Sequence, residues 1–131
     1  MSWDDYSDEF LIMAYSYDRY GALDEPDGYA TRTGDCGDSV EFYLAVEDER
    51  VAALTFQVAG CLNTFACANT VSYLAEGRRL SECWEITPEK IIAYLQTLPN
   101  DHHHCAELAV GAFYHTLNAY SRTKGENGDG K

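Results

Sequence analysis

The sequence predicts an α+β fold, and two patterns carry that prediction. Val40, Phe42, Leu44 and Val46 alternate with Glu41, Tyr43, Ala45 and Glu47, and Ala52, Leu54, Phe56 and Val58 alternate in the same way after the turn EDER. A period of two over both runs marks a pair of half-buried strands. From Cys61 onward the periodicity becomes helical in three successive segments, so strands precede most of the helices. The expected domain spans residues 1–122. The remaining stretch, TKGENGDGK at 123–131, has no apolar side chain and is expected to be disordered.

Each element has its own signal. Residues 4–17 mix acids with Phe10, Leu11, Met13, Ala14 and Tyr17, the pattern of a short amphipathic helix. Gly21, Pro26 and Gly28 end it in a loop, and a short strand follows at Tyr29–Thr33. Facing the apolar sets of the two main strands pairs Val40 with Val58, Phe42 with Phe56 and Leu44 with Leu54, and leaves a three-residue turn, Asp48–Arg50. The helix from Cys61 to about Glu76 is apolar around most of its circumference, which predicts a central position, and Gly77 stops it. Thr87 and Pro88 are the N-cap and first residue of the next helix. Asp101 is the expected cap of a last helix, from about His103 to Arg122.

Charge narrows the function. The chain of 131 residues carries a net charge of −13, and residues 1–49 alone hold 14 acids against two bases. Such a surface repels phosphate backbones, so nucleic acid is not an expected partner. No run approaches the length of a membrane span, and the acidic start MSWDDYSDEF lacks the basic flank of a signal peptide. No membrane partner and a cytoplasmic location are therefore expected. In that reducing setting five cysteines point to metal or thiol chemistry rather than a disulfide framework.

Three cysteines share a region. Cys36 stands between Gly34 and Gly37 in GDCGD, an accessible setting just before the first main strand. The second main strand ends just before Cys61, so the antiparallel hairpin returns Cys61 to the sheet edge that bears Cys36. On a helical wheel Cys105 joins Ala109, Ala112, Phe113, Thr116 and Tyr120 on the core face, with His104 about 100° away. His115 shares the side of His104 but lies roughly 16 Å further along, too far to share a metal. Cys61 and Cys105 fall at helix starts, where the dipole favours thiolates, the form that soft metals bind. Cys36, Cys61 and Cys105 are therefore expected to converge, with Asp38 or His104 as a fourth ligand, a set that suits zinc or one edge of an iron–sulfur cluster. There is no CxxC. Cys67 and Cys83 read as packed residues, and His102 and His103 as a solvated or capping run. A Cys–His nucleophile pair fails on geometry, because adjacent helical residues diverge.

These positions resemble the iron–sulfur cluster assembly scaffold family of the IscU/NifU N-terminal type. CGD at 36–38, VAGC at 58–61 and HC at 104–105, after LP at 98–99, match its three cysteine motifs in order, and GRRLSE at 77–82 matches a further stretch. The similarity covers roughly residues 6–122. The resemblance implies a three-stranded antiparallel sheet covered by helices, with the cysteines at one tip. It implies a scaffold that builds a transient 2Fe–2S cluster from ferrous iron and sulfur supplied by a cysteine desulfurase, then passes it to apo acceptor proteins. Cys36, Cys61 and Cys105 would be ligands and persulfide acceptors, Asp38 a labile ligand and His104 the alternative fourth ligand, with zinc as a further metal in the purified protein. Homo-oligomerisation stays open. The family's chaperone-recognition pattern Leu-Pro-Pro-Val-Lys reads LPNDH at 98–102, so an Hsp70-type chaperone is not an expected partner. The alternative reading is a zinc-binding persulfide acceptor for a cysteine desulfurase, although the insertion that marks that branch is absent. A third is an interaction module that docks through its acidic face; retention of every candidate ligand counts against it.

Overall fold

A computed structural model describes residues 5–128, with side chains to residue 124. Its elements run α1 (Asp8–Tyr15), β1 (Gly28–Thr33), β2 (Ser39–Glu47), β3 (Arg50–Ala59), α2 (Leu62–Ala75), α3 (Pro88–Leu95) and α4 (His103–Gly128). Two 3-10 turns, Leu80–Glu85 and Asn100–His102, precede α3 and α4.

The three strands form one antiparallel sheet in the order β1-β2-β3. Val40 pairs with Val58, Phe42 with Phe56 and Leu44 with Leu54, the register the alternation predicts. The turn differs. An irregularity between Ala45 and Val46 moves the last pair to Glu47–Arg50, leaving two turn residues, Asp48 and Glu49, rather than three. Both have positive φ, 54° and 64°, the conformation of the tight hairpin turn whose twist matches its strands.

One face of this sheet carries the core. Val40, Phe42, Leu44, Leu54 and Phe56 are fully buried, as are Ala109, Ala112, Phe113 and Thr116 on the α4 face that the helical wheel selected. Phe42 meets Phe56 and Phe113 edge to face, and Phe56 meets Phe65 of α2 in the same way. Such pairs add about 0.5–1.5 kcal/mol each beyond burial. α4 lies along β1 and β2, while α2 lies against β3 and α1. The all-round apolar character of α2 is explained by this central place: Thr64 to Ser72 are buried without interruption. Asn69, buried among them, donates to the carbonyls of Met13 and Ser16 at 3.0 Å each and so satisfies the end of α1.

Helix ends follow their capping chemistry with three corrections. Ser7 caps α1 by accepting from Phe10 N–H, so the helix starts at Asp8, not residue 4, which lies outside the described residues. Thr87 caps α3 from Lys90 N–H, with Pro88 in the first turn, as predicted. Asp101 does not cap α4; it lies inside the 3-10 turn that leads into the helix. α4 also continues past Arg122 to Gly128, where the sequence predicts a disordered tail. Helix propagation costs little once the helix is nucleated, and Lys124 pairs with Glu49 at 2.6 Å. Residues 129–131 lie outside the described residues.

Candidate metal centre

The site lies at the end of the sheet where β2 begins and β3 ends. Beyond the Ser39–Ala59 pair, Asp38 and Gly60 come side by side. A Cβ at Gly60 would lie 2.4 Å from the Asp38 carboxyl carbon, so this position has room only for glycine. The close approach lets Asp38 reach the start of α2, where its Oδ2 accepts from the Cys61 backbone N–H at 3.2 Å and from the Thr64 hydroxyl at 2.7 Å. These bonds hold the Asp38 carboxyl below its ordinary pKa, the Thr64 hydroxyl being the largest cause, while burial works against them.

Thr64 links the parts of this end. It is fully buried, and its oxygen lies 3.2 Å from Cys105 Sγ and 3.5 Å from Cys61 Sγ. Cys61 is the exposed N-cap of α2; Cys105 is fully buried near the start of α4. Burial pushes the Cys105 thiol up to about 11, partly offset by the Thr64 hydroxyl. The lowered thiol pKa expected there from the helix dipole is therefore overturned: desolvation of the thiolate wins. A bound cation would reverse the balance, since metal ligation displaces the thiol proton.

Cys61, His102 and Cys105 place one ligand atom each within 4.8 Å of one another. His102 Nδ1 and His104 Nε2 both lie 3.8 Å from Cys105 Sγ, and the two rings stack with centroids 5.8 Å apart. Two sulfurs and an imidazole suit borderline-soft divalent cations. Cys36 stands outside this trio. It is exposed on a tight loop, closed by Gly34 N–H to the Asp38 carbonyl at 2.9 Å and by Gly37 at φ +93°. It borders an open cleft of about 430 Å³ with Arg32, Asp35, His104 and Glu107. The hairpin thus brings the Cys36 and Cys61 segments to one tip, joined through Asp38.

Two residues escaped the sequence reading. The sequence places His102 in a solvated run, whereas the 3-10 turn that leads into α4 brings its Nδ1 to 3.8 Å from Cys105 Sγ. Thr64, three residues after a helix-capping cysteine, carries the signal of a side chain that faces back to the cap. Cys67 and Cys83 are buried, as expected, and burial raises both thiols, Cys83 to about 11.

The protein is thus a small α+β domain, a three-stranded antiparallel sheet packed with helices, with a Cys–His–Cys cluster at one tip. Residues 6–127 match the NifU-like N-terminal domain family, and the chain belongs to it. The chain is 29% identical over 122 residues to an iron–sulfur cluster assembly scaffold protein of Archaeoglobus fulgidus, covering 92% of this chain and 80% of that one. Its fold is that of the N-terminal part of a NifU-like protein from Brucella abortus, with a TM-score of 0.74 at 20% identity over 91% of this chain and 96% of that one. A putative cluster assembly scaffold for the SUF system from Fervidobacterium islandicum superposes with a TM-score of 0.74 at 16% identity, over 89% and 99% of the two chains. No helix among the described residues is long and apolar enough to cross a membrane.

Proposed function

We propose that this protein is a scaffold on which a 2Fe–2S cluster is assembled from ferrous iron and desulfurase-derived sulfur, and from which it passes to apo acceptor proteins. The observation that carries this reading is the meeting of Cys61, Cys105 and an imidazole at the tip that also bears Cys36 and Asp38. The cluster is cargo, and each residue has a part in holding it. Cys61 and Cys105 bind from the starts of α2 and α4, and Cys36 closes the shell from its loop. Asp38 supplies the fourth ligand once its carboxylate leaves Thr64 and the Cys61 N–H; His104 is the alternative. A shell with an oxygen or nitrogen donor in place of a fourth thiolate binds the cluster less firmly than an all-thiolate site, which suits onward transfer.

Sulfur arrives on a cysteine of this set, Cys105, Cys36 or Cys61. The accepting thiolate attacks the outer sulfur of a desulfurase persulfide, the donor's S–S bond breaks, and the donor leaves as a thiolate. Cys36 has the exposure this attack needs. A reducing, cytoplasmic setting keeps all five cysteines free.

Anaerobic reconstitution with ferrous iron, sulfide and a desulfurase tests the reading. Visible cluster absorption and labile sulfide are expected, both lost in Cys61→Ser. A protein that gains no cluster bands, or gains them with Cys36, Cys61 and Cys105 all replaced by Ser, would overturn it. The second reading, a zinc-holding persulfide acceptor, is favoured by how closely Cys61, His102 and Cys105 match a single ion. It predicts faster desulfurase turnover with zinc-loaded protein than with the iron-loaded form.

A further inference from the structure

The open cleft of about 430 Å³ lies between the end of β1, the Cys36 loop and one face of α4. Its volume falls in the range of small-molecule sites, about 300–1,000 Å³. α4 lines it with His104, Glu107 and Leu108, positions that share a helical face with Gly111. Arg32 reaches across from β1 and lays its guanidinium over Gly111. A Cβ there would overlap a guanidinium nitrogen and lie 2.8 Å from the guanidinium carbon. Glycine inside a helix is destabilising relative to alanine, so α4 gives up some stability here to seat the arginine.

Arg32 is one of two bases among the first 49 residues. The other, Arg19, pairs with Glu76 at 3.1 Å. Arg32 takes part in no ion pair among the described residues, although Asp35 and Glu107 line the same cleft. One cation and two carboxylates thus stand apart around a single space, and an exposed thiol, Cys36, stands on its wall.

These groups select a ligand by elimination. A simple anion would meet two carboxylates, and a simple cation would meet the arginine. An α-amino acid satisfies both signs, with its carboxylate on the planar fork of Arg32 and its ammonium group on Glu107 or Asp35. Leu108 offers an apolar wall to a short side chain, and the thiol reacts with a ligand that carries an S–S bond.

We propose that this cleft binds the amino-acid end of a small disulfide of the cysteine class, and that Cys36 exchanges with it to form a mixed disulfide. The Cys36 thiolate attacks the near sulfur of the bound molecule. A new S–S bond forms to Cys36, the ligand's own S–S bond breaks, and its outer half leaves as a thiolate. The ligand is the oxidant, and a small thiol reverses the exchange. Binding does not depend on the scaffold reading; only its consequence does. With Cys36 capped, the outer ligand of the cluster is missing, so a rising ratio of small disulfide to thiol halts assembly.

The full chain, metal-free, reduced and then held anaerobic, is treated with cystine, cystamine or dithiodipropionate. The first carries both charges, the second only ammonium groups and the third only carboxylates. Acid quenching and peptide mass give the initial rate at each cysteine. Cys61 is exposed but outside the cleft, so it serves as the internal reference. The net charge of −13 draws cystamine to both thiols, and the ratio of the Cys36 rate to the Cys61 rate removes that effect. This ratio should be about tenfold higher with cystine than with either other disulfide, the scale of one charge-assisted hydrogen bond. Arg32→Gln should abolish the cystine preference at Cys36 and leave the Cys61 rate unchanged. Gly111→Ala, which keeps the arginine but takes its seat, should do the same, and it carries the test if Arg32→Gln misfolds. Equal ratios for the three disulfides, or a cystine preference that survives both substitutions, would overturn the site. Cluster reconstitution on the same proteins separates the two claims. A chain that builds a cluster but shows no cystine preference ends this inference alone; one that shows the preference and builds no cluster keeps it and ends the scaffold reading.

Discussion

The two ends of the β2–β3 hairpin are held by different kinds of bond. At the turn end the joints are mostly backbone: Val51 N–H to the Arg78 carbonyl, Gly77 N–H to the Val51 carbonyl and Leu80 N–H to the Glu49 carbonyl, each at 2.9 Å. Arg50 adds a side-chain bond to the Gly77 carbonyl, and Lys124 pairs with Glu49. At the cysteine end one carboxylate, Asp38, ties the start of β2 to the start of α2, through one N–H and one hydroxyl. A backbone lattice has no other task. A carboxylate can instead trade its hydrogen bonds for a cation, so the cysteine end is the one built to change state.

The largest expected effect would break both ends together. Phe56 is fully buried and in ring contact with Tyr20, Phe42 and Phe65. Phe56→Ala should cost about 3–5 kcal/mol by lost transfer energy and the cavity left behind. Chemical denaturation with amide exchange at both ends would check it. Loss at one end alone would mean that the ends do not share this core.

How far the sequence reached follows the same division. The register was legible because one face of the sheet is dry, and a slip of one residue would have turned Phe42 and Phe56 to solvent. The turn was not, because Asp48 and Glu49 adopt positive φ without the Gly or Asn that usually announces it. At the cysteine end the convergence of Cys36 and Cys61 on one tip followed from the hairpin and the position of Cys105 from its helical face, but the imidazole did not. His102 precedes α4, and its approach to Cys105 depends on a 3-10 turn that leaves little mark in sequence. Thr64 was hidden for another reason: its place three residues after Cys61 turns it towards the cap, but the carboxylate and the sulfur it meets come from distant segments.

A pH series sharpens the comparison from the turn end. Cys83, fully buried in the 3-10 turn after α2, has a thiol raised from 9.0 to about 11, chiefly by burial. A raised thiol pKa gives stability that is complete below the unfolded value and lost as pH climbs through the folded one. The contribution of Cys83, on the order of 2 kcal/mol, should therefore disappear between pH 9.0 and about 11. Cys83→Ala should flatten that part of the stability–pH curve; an unchanged slope would show that Cys83 is hydrated.

Gly60→Ala acts at the cysteine end alone. The new Cβ would require Asp38 to swing away, because it would meet both the carboxyl carbon at 2.4 Å and the Asp38 Cβ at 2.8 Å. Overpacking of this kind costs about 1–3 kcal/mol. Amide exchange should quicken at Cys61, whose N–H loses its acceptor, and stay unchanged at Val51 and Leu80 in the closed end. Equal quickening at both ends would deny that they are independent.

Thr64→Val is the gentlest change, and it isolates the joint itself. Valine keeps the shape of the side chain, so packing beneath α2 survives, while Asp38 loses one of its two donors and Cys105 Sγ a hydroxyl neighbour. One such hydrogen bond contributes about 1 kcal/mol, and the loss should be no larger, since Asp38 is only half-buried and can turn to water. The sharper signal is in proton affinity. The Thr64 hydroxyl is the main cause that lowers the Asp38 carboxyl pKa, so in the variant that pKa should rise towards the ordinary aspartate value of 3.8. A depressed carboxyl pKa gives stability that is present above the unfolded value and lost as pH falls through the folded one. The variant should therefore lose less stability on acidification than the wild type below that value. A carboxyl-detected NMR titration of Asp38 measures this directly. If its midpoint did not move, Thr64 would be a packed neighbour and no tie, and the cysteine end would hold together by the Cys61 N–H alone.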